Sequence, residues 1–316
     1  MNVVYGFIGL KTHGKTTLIV RQERDMLRRY IHLSTGNYNS STAKSYVDIG
    51  IVTADPDIGH DISTLFNLLT GFNIFTKTSA LTNWTIPEFK KIVASPIALR
   101  EKFVSLIRKE ADSAKRGLQS KIVAKMNALV DKDIIEELYQ ASQEGVSITL
   151  IVRGICCLRP GVEGLSDNIE VISIVDRFLE HSRIYFFESE GAHEVYISSA
   201  DWMPRNMDRR VEILLPIFDP ICKQRLISEI LDCYLSDNVK AKQLTPKGNY
   251  EHIQSSKSAA PSRAQSRFIE LAREIGLKSI PYEKAIRHKR KSGRRPLHKK
   301  HSSKTIIKLK QKKDES

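Results

Sequence analysis

Cysteine is scarce. There are four in 316 residues, Cys156 and Cys157 adjacent and Cys222 and Cys233 isolated, with no Cys-x-x-Cys. This pattern fits neither a zinc site nor a disulfide framework, so reduced thiols are expected. Long hydrophobic runs are also missing. The longest apolar-rich stretches, Val146–Val152 and Ile213–Phe218, fall far short of the ~20 residues of a membrane-spanning helix. Met1–Leu10 has neither the basic start nor the small-residue cleavage site of a signal peptide, and a cytoplasmic location is expected. Acid is scarce in one region only. From Arg287 to Ser316, 13 Lys/Arg face two acidic residues, which carries +11 of the net +14. With the Ser/Ala/Pro-rich stretch from about Ser255 to Arg263, this makes residues 256–316 a linker and basic tail expected to be disordered. Such a tail is most simply a solvated polycation. Its functional reading is attraction of a polyanion, a nucleic acid or an anionic lipid surface included, the latter giving peripheral membrane association.

What remains is ordinary globular material: 41% hydrophobic and 27% charged residues, enough for a sizeable core. Tyr5–Leu10, Leu18–Val20 and Tyr30–Leu33 read as strands around a polar turn at His13–Lys15. Thr42–Tyr46 reads as a helix, and so does Asp61–Leu69, ending at Gly71. A segment with Trp84, Pro87 and Pro96 reads as a connection between domains. Beyond it Leu99, Phe103, Leu106 and Ile107 recur at helical spacing, with Ser95 as a candidate cap. A helix from Asp133 stops near Gly145 and feeds the strand Val146–Val152, an α/β unit that places Arg153 at the strand's C-terminal end, where ligands sit in parallel sheets. Strands follow at Val171–Ile174, Ile184–Phe187, Val195–Ser198 and Val211–Leu215, then a closing helix from Asp219-Pro220 through Leu231, and a short helix over Arg267–Glu274. The chain also echoes itself. His13-x-Lys15 leads through similar elements to Thr35-Gly36-Asn37, as His181-x-Arg183 leads to Ser199-Ala200-Asp201.

One motif invites a different reading. Gly9-Leu10-Lys11-Thr12-His13-Gly14-Lys15-Thr16 satisfies the phosphate-binding pattern G-x-x-x-x-G-K-[ST], which would make the chain a P-loop nucleotidase with Lys15 on the terminal phosphates and Thr16 on magnesium. A P-loop opens a helix, whereas the β-branched run Thr16–Val20 predicts a strand. The octet is therefore set aside.

The same stretch, Lys11-Thr12-His13-Gly14-Lys15, resembles the Lys-x-His-Ala-Lys of polyphosphate kinases. The likeness continues in order through Tyr30–Asn39 (YIHLSTGNYN), Thr42–Tyr46, Leu65–Gly71 (LFNLLTG), Ile151–Gly161 (IVRGICCLRPG), Arg177–Tyr185 (RFLEHSRIY) and Ala200–Asn206 (ADWMPRN). It covers residues 1 to about 268. The departures are Gly14, Thr16 and Ser34, where the family commonly has Ala, a larger apolar residue and Gly. The family's chains run to about twice this length, so the resemblance is to their C-terminal half.

The resemblance implies two phospholipase D-like α/β domains, the first incomplete at residues 1–83 and the second at 84–255, with the active site between them. It implies reversible transfer of the terminal phosphate of ATP to polyphosphate through a phosphohistidine at His13, with Lys15 neutralising charge on the transferring group. Tyr46, Arg153 and His181 match nucleotide-contacting positions, His181 also serving as a proton donor or acceptor, and His32 and Arg205 match possible phosphate contacts. Mg2+ with ATP or ADP is the implied cofactor. No metal ligand is assigned in this chain, because the family's magnesium-associated arginines precede the histidine motif. The implied partners are ATP/ADP, polyphosphate, and either further copies of the chain or a complementing N-terminal half; nucleic acid enters only through the basic tail. The bland alternatives are a hydrogen-bonded structural histidine at His13 or His32, a packing role for Tyr46 and an ion pair for Arg153. At the level of the molecule the alternatives are a non-catalytic polyanion-binding or subunit-interaction protein on the same fold and, less favoured, a phospholipase D-like hydrolase working by paired histidines.

Overall fold

A computed structural model of the chain describes residues 3, 4, 6, 9–24, 26–71, 88–253 and 260–274. The chain divides into a body, Met1–Phe268, and a second unit, Ile269–Ser316. Residues 264–274 are helical, which agrees with the short helix expected there, and the basic run beyond lies outside the described residues.

The body is built on a mixed nine-stranded sheet. Its strands run in the order Tyr250–His252, Ala241–Leu244, Ile169–Ile174, Ser147–Val152, Lys121–Met126, Ile184–Phe187, Glu194–Ser198, Ile213–Pro216 and Val93–Ala94. Ile169–Ile174, Ser147–Val152 and Lys121–Met126 are mutually parallel, and the remaining pairs are antiparallel. The parallel trio follows from its connections: the helix Lys132–Gln143 crosses from one strand to the next, capped by Asp131, whose carboxylate accepts from Ile134 N at 3.2 Å. Alternation along the strands gives two apolar faces. Ile122, Ala124, Ile148, Leu150 and Val152 join the helices Leu99–Lys115 and Lys132–Gln143 in one core. Val123, Ile151, Ile184 and Ile197 join the opposite core, with Ile31, Leu33, Ile62 and Leu65.

Ile31 and Leu33 belong to a second, three-stranded antiparallel sheet. Lys15–Glu23 and Met26–Ser34 form a hairpin, and Gly50–Thr53 pairs with its second strand. The helix Pro56–Gly71 packs against it, its first turn capped by Asp55, which accepts from the backbone of Asp57 and Ile58 at 3.0 Å each. The octet that imitates a P-loop therefore runs into a strand beginning at Lys15, with no helix N-terminus to receive a phosphate.

Several expectations need correction. Thr42–Tyr46 is not a helix: three residues, Thr42–Lys44, make a 3-10 turn, and Tyr46–Val47 pairs as a parallel strand with Leu179–Glu180. Ser95 does not cap the helix Leu99–Lys115. Its hydroxyl donates to Arg210 O at 2.8 Å, and the residue at the cap position is Ala98. The strand expected over Val211–Leu215 is broken, since Arg210–Val211 pairs with Lys11–Thr12 while Ile213–Pro216 belongs to the large sheet. Of the strand expected over Tyr5–Leu10, Tyr5, Phe7 and Ile8 lie outside the described residues, as does most of the connection carrying Trp84 and Pro87.

Candidate active site

The break in that last strand positions the site. Lys11–Thr12 lies parallel to Arg210–Val211 with Thr12 opposite Val211, and the next residue of each strand is His13 and Glu212. His13 Nδ1 is 2.8 Å from Glu212 Oε2. A carboxylate oxygen only accepts, so Nδ1 carries the proton and Nε2 keeps its lone pair. Lys15 Nζ donates to that Nε2 at 2.9 Å. Burial lowers the His13 pKa below its ordinary value, against the opposing pull of Glu212, so the ring is neutral at pH 7. Burial also lowers Lys15, to about 8.

Glu212 is fully buried and held on all sides. Ser199 Oγ donates to Oε2 at 2.5 Å, Asn206 Nδ2 donates to Oε1 at 2.5 Å, and Arg210 Nη1 lies 3.8 Å from Oε1. The orientation of the His13 ring is thereby fixed from behind.

A second histidine is built the same way. Tyr46–Val47 lies parallel to Leu179–Glu180 with Val47 opposite Glu180, and the next residues are Asp48 and His181. His181 Nδ1 donates to Asp48 Oδ1 at 2.8 Å, and Arg183 Nη1 donates to His181 Nε2 at 3.2 Å. Thr35 Oγ1 supports Asp48 at 2.9 Å as Ser199 supports Glu212. The backbone repeats the correspondence: Thr35 N donates to Ile49 O at 2.9 Å and Ser199 N to Ile213 O at 3.1 Å, while His13 N donates to Val211 O at 3.0 Å and His181 N to Val47 O at 3.2 Å. The internal echo in the sequence is thus a repeat in the fold. The halves are crossed, each histidine taking its carboxylate from the other. Burial lowers the His181 pKa; burial pushes Asp48 up, but His181, Thr35 and Arg183 together outweigh it and hold its carboxyl below the usual carboxylate range.

Around His181 the structure gathers two further expected residues. The Tyr46 ring lies 5.1 Å from the His181 ring, centroid to centroid. Arg153 Nε donates to Glu180 O at 2.5 Å and to Asn127 Oδ1 at 2.6 Å. Its terminal nitrogens have no hydrogen-bond partner among the described residues. His32 stands apart: it is on the hairpin, opposite Thr17, with Nδ1 2.9 Å from Tyr38 OH. Arg205 is exposed on the short helix Pro204–Asp208, and its neighbour Asn206 is the residue that reaches Glu212. Glu212, Asp48, Ser199 and Asn206 were not singled out from the sequence. Their signal was available in the echo, since Val47-Asp48-Ile49 and Val211-Glu212-Ile213 repeat the order Val, acid, Ile.

Among the described residues no group of three or more His, Cys, Asp or Glu could hold a metal ion. Nor is any described helix long and apolar enough to cross a membrane.

Known proteins resemble the chain in sequence and in fold. Residues 1–74 match the family model for polyphosphate kinase C-terminal domain 1, and residues 92–265 match that for C-terminal domain 2. A polyphosphate kinase of Synechocystis sp. is 50% identical over 84% of this chain and 34% of its own length, and one of Halalkalibacterium halodurans is 46% identical over 86% and 37%. The crystal structure of polyphosphate kinase from Porphyromonas gingivalis superposes with a TM-score of 0.76 at 38% identity, covering 86% of this chain and 41% of that one. The chain thus spans about a third of the length of these curated relatives. The α/β fold class stands, and the chain belongs to the polyphosphate kinase family, matching its C-terminal domains 1 and 2.

Proposed function

We propose that the chain carries the phosphoryl-transfer centre of a polyphosphate kinase, with His13 Nε2 as the atom that is phosphorylated. The observation that supports this is the pairing of His13: a buried carboxylate on Nδ1 and an ammonium on Nε2. That arrangement suits a nucleophile whose lone pair faces an anionic group. In the first step Nε2 bonds to the terminal phosphorus of ATP as the bond to the bridging oxygen breaks, and ADP leaves with that electron pair. The ring becomes cationic, and Glu212 stabilises the Nδ1 proton. Lys15 moves from Nε2 to a phosphoryl oxygen, where its charge offsets that of the transferring group. In the second step a terminal oxygen of polyphosphate attacks the same phosphorus and the N–P bond breaks, returning its electrons to Nε2. Run backwards, the sequence makes ATP from ADP.

Tyr46, Arg153 and His181 form the nucleotide side of the site in this reading. Tyr46 offers a ring face for the nucleoside, the free end of Arg153 meets phosphate, and His181 passes a proton. Magnesium accompanies the nucleotide, and none of the steps above depends on this chain holding it. ATP/ADP and polyphosphate are the substrates, and we place the reaction in the cytoplasm. The test is incubation with γ-labelled ATP, the chain alone and mixed with the N-terminal two-thirds of a relative. An acid-labile, base-stable phosphoprotein is expected, abolished by His13→Gln. Absence of label in both mixtures would favour the second reading, a non-catalytic polyanion-binding protein on the same fold.

A further inference from the structure

The two half-sites share a long series of hydrogen bonds, and among their differences in charge, such as Arg210 where the other half has Tyr46, the one at residues 37 and 201 falls where Asp201 grips Arg183. Gly36 N donates to Ser34 Oγ at 3.0 Å, and Ala200 N donates to Ser198 Oγ at 3.0 Å. Asn39 N donates to Asn37 O at 2.8 Å, and Met203 N to Asp201 O at 2.9 Å. Asn37 and Asp201 are therefore equivalent positions, one neutral and the other acidic. Asp201 is buried and grips the cation of its half-site: Arg183 Nε reaches Oδ1 at 3.0 Å and Nη2 reaches Oδ2 at 3.1 Å. Arg183 Nη1 is further tied to His181 O at 2.7 Å and Thr35 O at 3.2 Å. That guanidinium is fixed over His181 Nε2. Asn37 is exposed, and among the described residues His13 Nε2 is the sole hydrogen-bond partner of Lys15 Nζ.

We infer that the Asn37/Asp201 difference decides which of two equivalently built histidines accepts the phosphoryl group. Asp201 pins Arg183 across His181 Nε2 and bars phosphorus from that nitrogen, leaving the ring to exchange a proton through Nδ1 and Asp48, whereas the neutral Asn37 leaves the Lys15 ammonium able to leave His13 Nε2 for an incoming phosphate. Asn37 and Asp201 are thus positioning residues, each acting through the cation two residues beyond its histidine. The inference rests on the proposed phosphorylation of His13. It adds that a carboxylate at position 37 would tie down Lys15 as Asp201 ties down Arg183.

The variant Asn37→Asp tests this, with Asn37→Ser as its control; both changes fall on an exposed side chain, so the fold is kept. Two readouts are taken from the full chain. The first is the Lys15 pKa, followed by NMR of its labelled side chain and independent of activity. The groups whose charge acts on Lys15 are Glu212, Asp48, Arg183 and Arg210, with His13 in direct contact, and none is altered by either variant. Asn37→Asp is expected to raise that pKa by about one unit or more, and Asn37→Ser to leave it in place. The second is the rate of labelling of His13 from ATP at pH 7, mapped by peptide, expected to fall at least about tenfold in Asn37→Asp and little in Asn37→Ser. An unmoved Lys15 pKa in Asn37→Asp, or labelling as fast as the unmodified chain, overturns the inference. If the unmodified chain is never labelled, alone or with the N-terminal two-thirds of a relative, while the Lys15 pKa still moves, the phosphohistidine reading is lost and only the pinning of Lys15 stands.

Discussion

A histidine is a good phosphoryl acceptor only if one ring nitrogen keeps its lone pair at working pH and the ring is held still. Both conditions are met at His13 by groups distant in sequence. Glu212 accepts a hydrogen bond from Nδ1–H, and burial keeps the ring neutral. Replacing Glu212 by Gln preserves the volume but lets the amide donate, which favours the tautomer with the proton on Nε2. Phosphohistidine formation is expected to fall by roughly two orders of magnitude or more, with the unfolding transition retained as evidence of folding. The pH dependence follows from the same pair. Below the ordinary histidine range His13 gains a proton and loses its lone pair, and above about 8 Lys15 loses its charge, so the labelling rate is bell-shaped. Lys15→Arg should carry the alkaline limb upward, because a guanidinium stays charged across that range; an unchanged limb would mean another group sets it. His13, Lys15 and His181 were legible because short motifs carry them. Glu212 and Asp48 left only the short Val-acid-Ile echo, because their partners lie 199 and 133 residues away and strand pairing brings them together.

At the scale of elements, periodicity located most of the chain correctly. Ile184–Phe187, apolar throughout, sends Tyr185 and Phe187 to one core and Ile184 and Phe186 to the other, and the helix following Leu99 turns Phe103, Leu106 and Ile107 to the first. It failed where strands are short and change partner. The sequence from Val211 to Leu215 is uniformly strand-like apart from Glu212, yet the chain changes sheets at that residue, and this change delivers the carboxylate to the site. Tyr46–Val47 likewise pairs as a strand in the site although its local pattern reads as helix. Just behind Asp201, the neighbouring Trp202 packs on Tyr185 at 5.1 Å and Phe103 at 5.5 Å, all three rings buried. Phe103→Ala is expected to cost about 3–5 kcal/mol, measured by denaturant unfolding. A loss well below 1 kcal/mol would show that this cluster does not brace the sheet.

At the scale of the whole molecule, the crossed carboxylates bind the two halves of the site into one unit. His13 is completed by residue 212 and His181 by residue 48, so neither histidine is equipped by its own stretch of chain. The sequence echo gave the pairing of halves but not the crossing, since an echo reports similarity and says nothing about which copy faces which. The central claim, phosphorylation of His13 on the nitrogen turned away from Glu212, is tested most directly by identifying the phosphorylated atom. The chain is labelled from ATP, alone and with the complementing portion of a relative, and the phosphohistidine is mapped by peptide and its nitrogen assigned by NMR. The phosphoryl group is expected on Nε2 of His13. Phosphate on Nδ1, or on His181 in place of His13, would contradict the account.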